Sequence, residues 1–246
     1  MSLPVHWVES LDGVRPGDRV TVDGDEAHHA VAVRRMRVDE PLTLTDGRGT
    51  TVLGSVAETG KRRLVVLAER VEAVPEPAPR VTVVQALPKG DRGELAVEVL
   101  TEVGAAAIVP WAASRSVAVW RGERADKGLA RWRSTAREAA KQARRAWFPT
   151  VEALASTADV AELVSVATFA VVLHEAAGRS VAAVDVPTDG TLLVVVGPEG
   201  GITDDELTEL RDAGAHVVHL GAEVLRTSTA GVAGVAALLA RTPRWA

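Results

Sequence analysis

Residues 74–79 carry prolines at 75, 77 and 79, and no helix or central strand can run through that stretch. Each proline lacks a backbone donor and drives the residue before it towards extended structure. Two domains are therefore expected, one over 1–74 and one over 79–246, in a chain of 246 residues that is long enough to build a core. Before the prolines, short apolar runs at 5–8, 19–22, 42–45, 51–57 and 63–71 read as strands, with turns at Asp46-Gly47 and Glu58-Thr59-Gly60. A short helix over about 26–35, with Asp25 as its N-cap, interrupts them. Five or six short strands in about 70 residues predict a small β-barrel.

After the prolines the rhythm changes. Strand-like runs at 81–87, 107–110, 168–173, 192–196 and 217–220 alternate with helical stretches at 93–103, 127–147, 203–213 and 229–240. Gly104 closes the first helix; Thr203 and Glu206 have capping-box spacing at the start of the third, which ends at Gly214. This alternation predicts an α/β domain with a mostly parallel sheet. Ligands of such sheets bind beyond the carboxyl ends of the strands, so the loops that follow strands are where chemistry is expected.

Three of these loops stand out. The first is Leu173-His174-Glu175. The second is Gly197-Pro198-Glu199-Gly200-Gly201, where three glycines allow close approach of bare backbone to a ligand. It is neither a P-loop nor a dinucleotide fingerprint, and the acids Asp204, Asp205 and Glu206 that follow would repel phosphate. Two readings remain: a tight strand-to-helix turn, or a backbone surface for a neutral or cationic ligand. The third loop, 220–230, is long for an α/β connection and carries Arg226 beside Thr227, Ser228 and Thr229. Thr227 or Ser228 suits an N-cap. Arg226, whose nearest acid in sequence is Glu223, suits either an oxyanion or phosphate contact or an ion pair with a distant carboxylate.

The net charge of −5 argues against a polyanionic partner only as a sum. Residues 1–78 carry a net −3, residues 79–149 a net +6 and residues 150–246 a net −8. Within the cationic block, Arg133, Arg137, Lys141 and Arg144 or Arg145 recur at steps of three or four on the predicted long helix, opposite a stripe of Trp132, Ala136, Ala139, Ala143 and Trp147. From Arg121 to Arg145 nine basic residues face three acidic ones, a bias that fits an anionic partner such as RNA, with Arg115 extending it. The absence of cysteine excludes disulfides, thiolate metal sites and a cysteine nucleophile, and fits a cytoplasmic protein. No metal site is expected: His28 and His29 are adjacent, point in different directions, and lack a supporting carboxylate pattern. Neither a secretory leader nor a membrane span is legible.

At the three loops the sequence resembles the SPOUT-class RNA methyltransferases, and within them the RsmE family of 16S rRNA (uracil-N3)-methyltransferases. The matching stretches follow the family's order over nearly the whole chain: HHAVAVRRMRVDEPLTLTDGRG, ELAVEVLTEVGAAAIVPWAASRS, REAAKQARRAWFP, VVVGPEGGITDDEL and LGAEVLRTSTAG. One departure is Ser228, where many members have Glu.

The resemblance implies a PUA-like RNA-binding barrel over 1–74 and a trefoil-knotted α/β methyltransferase domain over 79–246, working as a homodimer on 16S rRNA or the small ribosomal subunit. It implies S-adenosylmethionine (AdoMet) as cofactor. That cofactor would be held by Leu173, His174, Glu175, Gly197, Pro198, Glu199, Gly200, Gly201, Leu220, Gly221, Val224, Leu225, Thr227, Ser228, Thr229 and Ala230. RNA would lie along Arg34, Arg35, Arg115, Arg133, Arg137, Lys141, Arg144 and Arg145. Methylating uracil N3 requires loss of its proton, so a cation near the carbonyl oxygens is needed, and Arg226 is the expected catalytic residue. Two other readings stand beside this one: a SPOUT enzyme acting on a ribose 2′-OH or a tRNA base, and a non-catalytic RNA-binding assembly protein.

Overall fold

The computed structural model describes residues 3–245 and divides into two compact units. One comprises Met1–Glu76 together with Ala140–Phe148; the other comprises Pro77–Ala139 and Pro149–Ala246.

The first unit is a five-stranded sheet in the order β1 (Val5–Trp7), β3 (Pro41–Thr45), β4 (Thr50–Gly60), β5 (Arg63–Ala73), β2 (Arg19–Asp23). The β1–β3 pair is parallel and the others are antiparallel. Alternation along β3, β4 and β5 sends Leu42, Leu44, Val52, Val56, Leu64 and Val66 into one core. The hairpin between β4 and β5 turns at Lys61-Arg62, because β4 continues through Glu58-Thr59-Gly60 instead of turning there. The predicted helix over 26–35 is also different. Helix α1 (Gly24–His28) starts from Asp23, with no side-chain capping bond, and passes into a π-helical turn at His29–Val33. There the Arg34 N–H reaches back five residues to the His29 carbonyl at 2.9 Å. β-Branched Val31 and Val33 crowd a normal turn, and the wider one keeps Ala27 and Ala30 fully buried.

The second passage through this unit follows the long helix α3 (Glu123–Gln142). This helix stops five residues short of the predicted end at Trp147. Arg144 takes a left-handed φ of 54°, and the Arg145 N–H returns to the Ala140 carbonyl at 3.0 Å. Beyond the stop, Trp147 Nε1 donates to the Val74 carbonyl at 2.8 Å. Inside the last turn, Lys141 Nζ lies 2.8 Å from Glu26 Oε2, and Glu26 Oε1 lies 3.0 Å from His6 Nδ1. Lys141 is 9% exposed, so it does not lie on a wet cationic stripe with Arg137; the half-buried Glu26 draws it inward. Arg144 and Arg145 lie beyond the helix altogether.

The second unit holds a six-stranded sheet, every pair of which is parallel. Its order is β11 (His216–Val218), β9 (Phe169–Leu173), β10 (Thr191–Val196), β6 (Arg80–Ala86), β7 (Ala107–Trp111), β8 (Thr150–Val151). Both faces are covered. Val81, Val83, Leu192, Val194 and Val196 join one apolar cluster, with Leu100 from α2 (Arg92–Val103), Trp132 from α3, and Val235 and Leu238 from α6 (Thr227–Leu239). Val84, Leu193 and Val195 join the other, with Val160 and Val164 from α4 (Thr157–Val166) and Leu210 from α5 (Asp204–Asp212). The sequence reading has neither β8 nor α4, although α4 carries a full capping box between Ser156 and Asp159. The predicted capping box of α5 is present between Thr203 and Glu206, and Gly104 ends α2 at φ 107°. The parallel arrangement places the ends of all six strands on one edge, where the candidate site lies.

Burial alone would push the Glu26 carboxyl upward. The hydrogen bonds and positive charges of His6 and Lys141 outweigh it and hold the pKa at about 2, against 4.5 when free. Because the folded value is depressed, this group stabilises the first unit above about pH 4.5, and the contribution disappears as pH falls towards 2. Its size is on the order of 3 kcal/mol. Urea midpoints measured from pH 6 to 2.5 should fall across that window in the wild type, with a shallower slope in the Glu26→Gln variant.

Candidate active site

The carboxyl ends of β9 and β10 and the loop after β11 meet around one cleft of about 270 Å³. Its walls bring together Leu173, His174 and Glu175 from the first predicted loop, Gly197, Pro198, Glu199 and Gly201 from the second, and Val224, Leu225, Arg226, Thr227 and Ala230 from the third. Val196 and Ile202 complete the apolar lining. A smaller adjoining recess adds Leu220, Gly221 and Glu223. Gly200, Ser228 and Thr229 were expected here and line neither space. Gly200 packs on the loop after β7, Ser228 is 4% exposed in the first turn of α6, and the Thr229 hydroxyl donates to the Arg226 carbonyl.

Each loop is held from behind. The Leu173 loop begins where the His174 N–H donates to the Val218 carbonyl at 2.9 Å. The Ala176 N–H donates to His174 Nδ1 at 3.2 Å, which assigns the ring proton of neutral His174 to Nε2. His174 therefore offers a donor, not a base, at its free nitrogen. The glycine loop is tied at Glu199, whose Oε1 accepts from the Lys89 N–H at 3.2 Å and lies 3.9 Å from Arg92 Nη1. At Gly200 a Cβ would come within 2.8 Å of the Arg115 carbonyl, so residue 200 has no room for a side chain. Gly201 sits at φ 76°, the left-handed region that glycine adopts without strain. Arg115 Nη1 reaches back to the Gly200 carbonyl at 3.4 Å, so this arginine belongs to the loop's support as well as to the exposed surface.

Glu206 braces the helix that follows. Its carboxylate accepts from the Thr203 N–H and hydroxyl, the Ser114 N–H and the Thr157 hydroxyl, at 2.8–3.2 Å. Burial pushes this carboxyl up, and the hydrogen bonds from Ser114 and Thr203 more than offset that, so it is held below its ordinary value. Gln85, at the end of β6, is fully buried and donates to the Thr227 carbonyl behind the cleft. Sequence reasoning places Glu206 in the capping box with Thr203 but misses its bonds to Ser114 and Thr157, and it assigns no role to Lys89 or Gln85. A lone amide in an otherwise apolar strand was the legible signal for the last.

Arg226 stands at the cleft as the residue before α6, exposed, with no carboxylate at ion-pair distance among the described residues. The distant ion pair allowed by the sequence is not formed. Glu175, Glu199 and Glu223 surround the space, so its field suits a ligand with a positive centre, and its apolar walls suit a flat or aliphatic body. Among the described residues, no group of three or more His, Asp or Glu is placed to hold a metal.

The remaining basic residues are dispersed. Arg131 pairs with Glu94 at 3.3 Å, Arg133 Nε donates to the Val151 carbonyl at 3.1 Å, and Arg133 and Arg137 remain exposed on α3. Arg34 and Arg35 are exposed at the end of the π-helical turn, beside exposed Val33 and Val38.

Replacing Glu206 with Ala removes a buried acceptor that joins donors on three segments. It should lower the unfolding free energy by about 3 kcal/mol in urea titrations, far more than the same change at exposed Glu209.

A family model described as an RNA methyltransferase domain matches residues 75–239, and one described as an RNA methyltransferase PUA domain matches residues 22–69. The chain is 47% identical over 233 residues to the ribosomal RNA small subunit methyltransferase E of Mycobacterium tuberculosis, covering 93% of this chain and 89% of that one. It is 30% identical to the protein of the same description from Bacillus subtilis, covering 90% of each. A crystal structure of ribosomal RNA small subunit methyltransferase E from Neisseria gonorrhoeae, bound to S-adenosyl methionine, superposes with a TM-score of 0.86 at 26% identity, covering 97% of this chain and 98% of that one.

Proposed function

This chain belongs to the ribosomal RNA small subunit methyltransferase E family, and on that premise we propose that it transfers a methyl group from AdoMet to N3 of a uridine in 16S rRNA. The observation that carries this reading is the cleft itself. Three sequence-remote loops converge on it, with carboxylates around an apolar lining and Arg226, unpaired among the described residues, in its wall. The lining fits AdoMet: bare backbone at Gly197 and Gly201, apolar walls at Leu173, Val196 and Leu225, and acids that complement a sulfonium.

When bound, AdoMet supplies an electrophilic methyl whose carbon–sulfur bond breaks, the electron pair staying on sulfur, as the N3–carbon bond forms. The rest falls to the chain. Neutral uracil N3 holds a proton and has little nucleophilicity. That proton is given up to solvent, and its loss leaves negative charge on the two flanking carbonyl oxygens. The Arg226 guanidinium, with no carboxylate at ion-pair distance among the described residues, stabilises that charge. His174 Nε2–H offers an additional donor.

Exposed Arg133 and Arg137 on α3, with Arg34, Arg35 and Arg115, would contact RNA phosphates. Lys141 is left out of that set because Glu26 neutralises it. A homodimer accords with the family resemblance and with Val224, 77% exposed at the cleft rim, which a partner surface would cover. No helix among the described residues is long and apolar enough to cross a membrane.

Mass-spectrometric mapping of rRNA from a strain lacking this protein should show loss of one N3-methyluridine, restored by the wild-type chain. A retained signal would refute the assignment. Arg226→Ala should lower kcat by about 10²–10³ while calorimetric AdoMet affinity changes little. Reversing the charges of Arg133 and Arg137 together should weaken RNA binding and reduce the slope of log K against log salt by about 2.

A further inference from the structure

Strand β6 pairs with β10 and β7 at the centre of the parallel sheet, buried on both faces. Near its carboxyl end stands Gln85, fully buried and in register with Val196, the last residue before the glycine loop. Its Nε2 donates to the Ala86 carbonyl at 3.1 Å and to the Thr227 carbonyl at 3.3 Å. Both neighbours of that nitrogen are acceptors, so the amide has one satisfactory orientation. In that orientation Oε1 is buried and has no hydrogen-bond partner among the described residues.

An unsatisfied buried acceptor opposes folding, and an apolar side chain of the same volume would avoid the penalty. Gln85 is therefore not explained by packing. What it does provide is a grip on the first turn of α6. Thr227 is the residue after Arg226, and the whole turn approaches β6 closely because residue 231 is glycine. A Cβ there would lie 3.1 Å from Leu100, 3.3 Å from Val196 and 3.6 Å from Gln85 Oε1. Arg226 itself has no side-chain capping bond, and among the described residues no ion pair fixes it. The tie from Gln85 to Thr227 is the polar contact from the sheet that holds its backbone in place.

We propose that Gln85 is a positioning residue for methyl transfer: its carboxamide fixes the Thr227 carbonyl, and with it the start of α6 and the aim of Arg226 into the cleft. The role of Arg226 in this statement rests on the reaction proposed above.

The test is Gln85→Met, which conserves volume and removes the amide. Hydrogen exchange of the ligand-free protein should show amides at 227–231 opening about tenfold faster, with those of α2 unchanged and the thermal midpoint equal or higher. Methyl transfer should lose about tenfold in kcat, with KM for RNA unchanged. Gln85→Glu adds a pH signature. The buried carboxyl donates to the Thr227 carbonyl only when protonated, so kcat relative to wild type should recover as pH falls. Wild-type exchange at 227–231 in Gln85→Met overturns the proposal. So does a fall in thermal midpoint with exchange quickened throughout the second unit, because Gln85 would then serve packing alone. If the wild type methylates no rRNA, the reaction assignment fails, and the exchange measurement still decides whether Gln85 anchors the loop.

Discussion

Burial of the parallel sheet on both faces governs everything else in the second unit. Six parallel strands need crossover connections, and the helices that supply them cover both faces with apolar side chains. Polar backbone then becomes accessible mainly at the strand ends. Because the strands share one direction, their carboxyl ends share one edge, and the loops at 173–175, 197–201 and 220–226 converge without being neighbours in sequence. The site is a consequence of strand direction before it is a matter of particular side chains.

The charges fall into two kinds of work. Glu26, Glu199 and Glu206 are spent internally: one draws in Lys141 and His6, one joins the glycine loop to the residues after β6, and one binds the start of α5 to the segments at Ser114 and Thr157. Arg131 is likewise committed to Glu94. Arg226 at the cleft and Arg133, Arg137, Arg34 and Arg35 on exposed surfaces are local cationic groups within a chain that is acidic as a whole. A net charge of −5 therefore coexists with surfaces suited to a polyanion. The acidic excess counted over 150–246 partly surrounds the cleft, where a cationic ligand needs it.

Much of this was legible in the sequence, for identifiable reasons. Period and punctuation locate β6, β9, β10, α2 and α5, because continuous apolar runs, Gly104 and the Thr203–Glu206 pair are local signals. The cleft loops were legible because glycine and arginine are unusual at strand ends. Signals set by distant partners were not. The stop of α3 at Gln142 depends on Arg144 accepting a left-handed conformation, which no propensity favours. The inward turn of Lys141 depends on a glutamate more than a hundred residues earlier. Gln85 passes unremarked within the strand-like run at 81–87, because its partner Thr227 lies 142 residues away. The resemblance to a known family supplied the methyl chemistry and the threading of the cofactor loops, which local pattern cannot encode.

The return of Ala140–Phe148 to the first unit bears on how the chain acquires its structure during synthesis. The N-terminal sheet is encoded by the opening 76 residues, yet its Glu26 and Val74 receive Lys141 and Trp147 only after roughly twice that length has been made. While the nascent chain grows, the N-terminal segment must remain incomplete as most of α3 emerges, so the two units cannot mature in strict N-to-C order. A polypeptide cut at the proline run would strand a buried carboxylate without its ammonium, and the natural severing point of this protein is therefore not the one that its prolines advertise.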